Sequence, residues 1–312
     1  MHIFMKGRNM RIVITGATGM IGFALARIAK AEGHEVTCLV NPDSSRKGRL
    51  KFIQGIDVIE CGIEDYDSIQ IDKSADVFIH MAWAKTFGSG RDDAETQYSN
   101  IGYTLSAIRL ARRMNCRMFI GTGSQAEYGP KDTDLTAKLA VNPESGYGIS
   151  KYAAGRLASL YCKQNEMRFS WVRILSVYGP GDGKNTLISY VINEILSGRQ
   201  PKLTKCEQIW DYIYCDDAAE AILSIAKSDV DGGVYPLGSG KGRKLSEYVK
   251  DVRDVINPEI EPAFGAIPYY PHQPMYLVAD ITELSEATGW SPKVDFMEGI
   301  RRTVEYTKRE AY

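Results

Sequence analysis

From Met10 onward the chain repeats one rhythm: a short apolar run, then a longer stretch whose apolar residues recur every three or four positions. "RIVIT" predicts a strand, "MIGFALARIAKAEG" a helix ended by Gly33, and "HEVTCLV" a second strand. "DVIECG" and "ADVFIHMAW" predict short buried strands, and "AETQYSNIGYTLSAIRLARRMN" a long helix. "RMFIGTGS" then predicts a strand, "YGISKYAAGRLASLYCKQN" a helix and "FSWVRILSVYG" one further strand. Strands alternating with helices imply an α/β fold, a doubly wound parallel sheet covered by helices on both faces. After Tyr178 the texture changes to loops and prolines, as in "GPGDGKN" and "PYYPHQP", which predicts a smaller second lobe over the end of the sheet.

The first strand-to-helix junction reads "TGATGMIG", with glycines at 16, 19 and 22. Gly16 permits a tight turn, Gly19 lets a diphosphate approach the backbone, and Gly22 allows close helix–strand packing. The helix N-terminus that follows supplies N–H donors and partial positive charge. The spacing is G-x-x-G-x-x-G rather than G-x-G-x-x-G, and a turn without ligand is the alternative. For a bound dinucleotide, the end of the second strand decides the cofactor, because an acid there holds the ribose 2′-hydroxyl of NAD. The chain has Val40 and Asn41 at that place, followed by Arg46, Lys47 and Arg49, which favours the 2′-phosphate of NADP over NAD. Asp43, late and in a turn, weighs against this, and a solvated basic loop is the other reading.

"YGISK" sets Tyr147 and Lys151 four residues apart on one helix face. An ammonium beside a phenol favours the phenolate, so this pair is expected to lower the Tyr147 pKa and suit a proton relay to a substrate oxygen. Ser124, at the end of "RMFIGTGS", lies where open α/β sheets place their functional groups, with Thr122 a less favoured substitute. A surface pair and a loop serine are the alternatives.

Together these segments make the chain resemble the extended short-chain dehydrogenase/reductases that act on nucleotide sugars, the NAD(P)-dependent epimerase/dehydratase family. The resemblance runs from Arg11 to about Tyr306 through "TGATGMIG", "IHMAWAK", "GSQAEYG", "YGISK", "RILSVYGPGD", "WDYIYCDDAAEAI", "PLGSG" and "ADITELSEATGWSP". It implies a Rossmann-type domain over residues 10–175 with a return segment at about 206–236. Residues 176–205 and 237–312 would form the substrate-binding lobe. It also implies a homodimer through paired helices. Ser124, Tyr147 and Lys151 match the catalytic triad. Thr18, Met20, Ile21, Asn41, Arg46 and Ile63 join Gly16 and Gly19 as cofactor contacts, with Ala82 and Lys85 beside the cofactor and Asn100 organising the site. His80 ends the fourth strand and reads as structural.

Several departures narrow the reaction. Related 4,6-dehydratases resemble "TDEVYG" where this chain has "SQAEYG", so Gln125 and Ala126 replace an acid pair that moves protons. Glu127 comes one residue late and should point elsewhere, which disfavours dehydration. Ser176 replaces an asparagine that touches the substrate diphosphate, Trp210 replaces a frequent arginine, and Tyr270 stands where a clamping arginine is often found. Gly62 replaces an aspartate near the adenine. With Ser124, Gln125, Ser176 and Tyr270 as candidate substrate contacts, the expected activity is epimerisation or reduction at C4 of a nucleoside-diphosphate hexose. A reductase of a small non-nucleotide carbonyl compound and a non-catalytic NADP-binding scaffold are the alternatives.

Bulk properties exclude other classes. A net charge of -1 over 312 residues gives no electrostatic case for nucleic acid or an anionic membrane and points to a small-molecule partner. The six cysteines include no C-x-x-C pair, so no metal is expected and they read as reduced, buried thiols of a cytoplasmic protein. No apolar run approaches the roughly 20 residues of a membrane span. The leader "MHIFMKGRN" is too short and weakly apolar for a signal peptide, with Met10 an alternative start.

Overall fold

The computed structural model describes residues 9–270 and 273–310, so nearly all of the leader and the Pro271–His272 pair of "PYYPHQP" lie outside the described residues. Strands β1 (Arg11–Thr15), β2 (Glu35–Val40), β3 (Asp57–Glu60), β4 (Val77–His80), β5 (Met118–Ser124) and β6 (Arg168–Ile174) come first. The short β7 (Ser176–Tyr178), β8 (Ile209–Trp210) and β9 (Tyr212–Tyr214) follow, then β10 (Gly232–Leu237), β11 (Arg243–Lys244) and β12 (Tyr276–Leu277). The helices are α1 (Met20–Ala31), α2 (Ala94–Arg113), α3 (Gly146–Gln164), α4 (Leu187–Leu196), α5 (Cys215–Lys227), α6 (Leu245–Ile256), α7 (Thr282–Thr288) and α8 (Phe296–Glu310).

Seven strands form one sheet in the order β10-β6-β5-β4-β1-β2-β3, and all its pairings are parallel. Side chains alternate across it as the strand period demands. Ile12 and Ile14 face the layer of α1 and α5, whereas Val13 faces the layer of α2 and α3. This is the Rossmann-type doubly wound sheet. The strand order reverses between β1 and β4, and such a reversal opens a crevice at the carboxyl ends of the strands. No described helix is long and apolar enough to cross a membrane.

Two strand expectations need correction. β3 is not buried: as the edge strand it exposes Asp57, Val58 and Glu60. "FSWVRILSVYG" is not one strand, because the chain breaks at Leu175, whose N–H donates to the Leu237 carbonyl at 2.9 Å. Beyond the break β7 leaves the main sheet and pairs with β9.

The C-terminal elements are anchored by buried groups that tie distant segments together. Tyr178 packs on Phe296 with ring centroids 4.9 Å apart, and its hydroxyl donates to the Phe296 carbonyl at 3.2 Å, docking α8 on β7. A Cβ on Gly299 would sit 2.2 Å from that hydroxyl, so the helix must present glycine there. Asp211 is fully buried and accepts from the backbone N–H groups of Ser239 (2.8 Å), Gly240 (3.0 Å) and Ala279 (3.1 Å), and from the Ser239 hydroxyl. One carboxylate thus joins "WDYIY", "PLGSG" and "ADITE". The hydrophobic core is continuous from Ile12 and Val36 through α5 to Val249 and Ile300. Asp211→Ala leaves several buried donors unpaired and is expected to lower unfolding free energy by about 3 kcal/mol or more. Urea denaturation measures this, and an unchanged midpoint would contradict the anchoring role.

Candidate active site

The crevice at the β1/β4 reversal is a cavity of about 920 Å³. Its cofactor-side wall begins at the glycine loop. Gly16 has φ +73°, and a Cβ on it would stand 2.8 Å from the Met81 carbonyl carbon and 2.9 Å from the Ala82 nitrogen. Only glycine satisfies both demands. A Cβ on Gly22 would lie 2.3 Å from the Gly16 carbonyl oxygen, so Gly22 lets the helix close on its own loop rather than on the strand. Gly19 caps α1 without a side-chain hydrogen bond, and the first turn carries no acid. Those N–H groups are the donors a diphosphate needs. The cradle therefore fits a nicotinamide dinucleotide.

Below the loop, the Thr15 hydroxyl lies 2.9 Å from His80 Nδ1 and accepts from the Met81 and Ala82 N–H groups, each at 3.1 Å. With its oxygen accepting twice, Thr15 donates its proton to His80. Burial, helped by the nearby Lys151 charge, pushes the imidazole pKa down to about 3, so His80 stays neutral and structural.

Most of the expected contacts line the cavity: Gly16, Thr18, Gly19, Met20, Ile21, Asn41, Arg46, Ile63, Ala82, Ser124, Gln125, Tyr147, Lys151 and Ser176. Asn100 sits behind the lining, fully buried, and exchanges two hydrogen bonds with the Ala84 backbone at 2.9 and 3.1 Å. Two expected contacts lie elsewhere. The Lys85 ammonium turns to Asp93, the carboxylate that caps α2, and is half exposed. Tyr270 is 73% exposed and absent from the lining.

Ser124, Tyr147 and Lys151 converge because α3 packs its first turns against the end of β5 and the turn that follows it. Gly148 permits this approach, since a Cβ there would lie 2.4 Å from the Ala126 carbonyl oxygen. The buried Tyr147 phenol meets the Ser124 side chain. Lys151 donates to the Thr122 carbonyl at 2.6 Å, and its ammonium lies 3.8 Å from the centre of the Trp83 ring. Burial lowers the Lys151 pKa to about 7, against an opposing pull from Glu127.

The electrostatics of Tyr147 differ from the sequence expectation. Burial raises its pKa, and the cation opposing that rise is Arg91, whose guanidinium lies 4.3 Å from the ring centre. Lys151 Nζ is 5.8 Å from the same centre. Arg91 escapes a sequence reading because it sits in a short turn with no periodicity, just before two acidic residues committed elsewhere. Asp92 accepts from the Gly146 N–H at 2.8 Å, and Asp93 caps α2. Two of the noted substitutions meet each other: the Trp210 indole donates to the Ser176 hydroxyl at 2.8 Å. Both line the cavity, placing an indole and a hydroxyl on this wall. All six cysteines are buried and unpaired.

Comparison with known proteins settles the family. Residues 12–238 match the NAD-dependent epimerase/dehydratase family. The chain belongs to this family. Among the family's relatives, CDP-abequose synthase of Salmonella typhimurium is 27% identical, the match covering 94% of this chain and 97% of that protein. UDP-glucose 4-epimerase of Mycolicibacterium smegmatis is 26% identical over 97% of this chain and all of that protein. The same fold occurs in a solved UDP-N-acetylglucosamine 4-epimerase from Methanobrevibacter ruminantium, with a TM-score of 0.88 and 23% identity over 97% of this chain and 99% of the other.

The buried lysine makes stability depend on pH. Its pKa is about 7 in the folded chain, against the ordinary lysine value of 10.5 in the unfolded one. Below pH 7 both states hold the proton and the folded state carries the full desolvation penalty. Between those values the unfolded state binds more protons, so stability rises with pH by up to about 1.4 kcal/mol per unit. Lys151→Met is expected to be more stable at pH 7 and to lose this slope in urea unfolding at pH 7 and 9. An unchanged slope would show that Lys151 does not titrate in this window.

Proposed function

We propose that this chain is a nucleotide-sugar epimerase/reductase acting at C4 of a nucleoside-diphosphate hexose, with Tyr147 as acid/base. The observation that carries the reading is the convergence of Ser124, Tyr147 and Lys151 in one cavity with the glycine cradle. Ser124 hydrogen-bonds the C4 oxygen and aligns it on the Tyr147 phenol. Tyr147 takes the hydroxyl proton as C4 becomes a ketone and returns it when the ketone is reduced. Arg91, whose guanidinium lies 4.3 Å from the Tyr147 ring centre, favours the phenolate, and Lys151 binds the nicotinamide ribose. When bound, the nicotinamide supplies hydride donor and acceptor capacity. Water is limited by Trp83, Trp210 and Tyr212, which line the sugar end.

Several features support the finer parts. Gln125 lines the cavity while Glu127 is buried beneath it, leaving no carboxylate in the dehydratase position. NADP is favoured over NAD because β2 ends at Val40 and is followed by Asn41 rather than an acid. Ser44 and Arg46 line the same adenosine end, where Asp43 weighs towards NAD. From the substrate lobe, residues 176–205 and 237–312, Ser176 and Leu187 reach the cavity, and Trp210 joins them from the return segment of the Rossmann-type domain. The uncharged Trp210–Ser176 pair and the solvent-facing Tyr270 also suit a less charged carbonyl substrate, which is the second reading.

A homodimer through α2 and α3 is part of the proposal. Ile149, Leu157 and Leu160 project from one side of α3, and Tyr98 on α2 is 73% exposed. Leu157→Glu is expected to reduce the sedimentation mass to that of one chain. A wild-type protein already at one chain would remove this part.

The functional reading is tested by thermal shift and turnover with UDP-, GDP-, CDP- and dTDP-sugars, each with NADPH or NADH. At least one nucleotide sugar is expected to raise Tm and to be converted, with NADPH bound more tightly than NADH. Tyr147→Phe should retain the shift and lose turnover by about a hundredfold or more. Unchanged turnover in that variant would overturn the acid/base role, and a panel without any shift would favour the small-carbonyl substrate.

A further inference from the structure

Glu127 is the acidic residue that the proposed chemistry does not use, yet it is fully buried directly behind the site. Its place is made by glycine: a Cβ on Gly123 would fall 2.3 Å from both Glu127 Oε1 and the Trp171 indole nitrogen. Glu127 Oε1 accepts from the Ser124 backbone N–H and from Trp171 Nε1, each at 2.9 Å. Oε2 accepts from Arg173 Nε at 2.8 Å, with Arg173 on the neighbouring strand β6 and its guanidinium 4.6 Å from the Tyr128 ring centre. The Ser124 hydroxyl accepts from the Ala126 N–H at 3.2 Å, completing a capping box around the turn. Ser124 is thus gripped at its backbone nitrogen and its oxygen, leaving the hydroxyl proton for the cavity.

A buried ion pair is a poor stabiliser, because desolvation offsets most of its attraction and apolar residues of the same volume serve as well. Its location, one residue layer from the reacting groups, gives it another use. We propose that the buried Glu127–Arg173 pair is a positioning device for the candidate active site, fixing Ser124 through its backbone and standing as the counter-charge behind Lys151. This inference rests on the reading of Ser124, Tyr147 and Lys151 as the reacting centre.

The groups around that centre are few. Lys151 Nζ lies 6.0 Å from the centre of the Trp171 ring, whose Nε1 donates to Glu127. It also faces neutral His80 from β4, the Thr122 carbonyl from β5, Trp83 from the loop after β4, and Tyr147 on its own helix. Tyr147 faces Arg91, Ser124 and Glu127. Among the described residues, Glu127 is the only carboxylate acting on either one. It holds the Lys151 proton on against burial, while Arg173 moderates it from the far side.

The test reads Lys151 without needing a substrate. Protein labelled with carbon-13 at lysine Cε should show one resonance titrating near pH 7, missing in Lys151→Met. Glu127→Gln keeps the shape and the acceptor but removes the charge, so the titration should move to lower pH. Arg173→Met leaves the carboxylate uncompensated, so it should move to higher pH. Opposite displacements support the proposal; no displacement, or displacement in one direction for both, overturns it. Should a single variant fail to fold by circular dichroism, the Glu127→Gln/Arg173→Met double variant carries the test. There the shift to lower pH should persist, and an unmoved titration overturns the proposal.

A kinetic arm uses whichever nucleotide sugar the panel identifies. Glu127→Gln should lower kcat by about tenfold or more with KM within about twofold, since Glu127 does not line the cavity. A lower kcat with an unmoved lysine titration marks a merely structural residue and overturns the proposal. If no nucleotide sugar is turned over by the wild type, the functional reading fails while the titration still decides the role of the pair.

Discussion

The site depends on a backbone crossing with no spare volume. Gly16, at positive φ, rests against the Met81–Ala82 peptide at a distance that no Cβ could share. The Thr15 hydroxyl fixes the same crossing from below by accepting from both N–H groups of that segment and hydrogen-bonding a neutral His80. This contact sets the height of the cofactor cradle over the sheet and fixes the start of the loop carrying Trp83. The Lys151 ammonium lies over that Trp83 ring, so the placement of Lys151 descends from a glycine far away in sequence.

Glycine does similar work across the sheet. Gly121, Gly123 and Gly155 all abut Trp171, which lies between β5 and α3. Their missing side chains let helix and strand close around one indole and leave room for the Glu127 carboxylate. The result is polar where it must hold Ser124 and apolar where it must exclude water. Burial then shifts Lys151 and Tyr147 towards their neutral forms, and Glu127 and Arg91 act on them from opposite sides.

Much of this architecture is legible in the sequence. The periodic runs locate β1, α1, β2, β4, α2, β5 and α3, because strands buried on both faces and helices of three or more turns leave strong patterns. β3 departs from its expected burial because an edge strand needs little apolar surface. The break at Leu175 leaves no local signal, since it comes from a change of partner: β6 ends its ladder with β10 at Leu237 and β7 pairs with β9, both far along the chain. At the site, the glycine spacing, the strand end at Ser124 and the Tyr147–Lys151 spacing, read with the family resemblance, point to residues that line one cavity. Spacing does not locate Arg91, because a cation resting on a ring face obeys no sequence period. Lys85 leaves its expected place because Asp93, a helix cap eight residues later, is the stronger attraction. The Trp210–Ser176 hydrogen bond shows why two substitutions that look independent belong together.

Chemistry at C4 of a nucleotide-bound hexose is the claim on which the functional account stands. Its most direct test is the single-turnover rate of oxidation of 4-hydroxy nucleotide hexoses, with oxidised nicotinamide cofactor as hydride acceptor. The sugar is deuterated at C4 or, separately, at C5. Hydride transfer at C4 predicts that deuterium at C4 slows turnover while deuterium at C5 leaves the rate unchanged and stays on the sugar. Loss of the C5 label to solvent, together with no slowing from the C4 label, would contradict it.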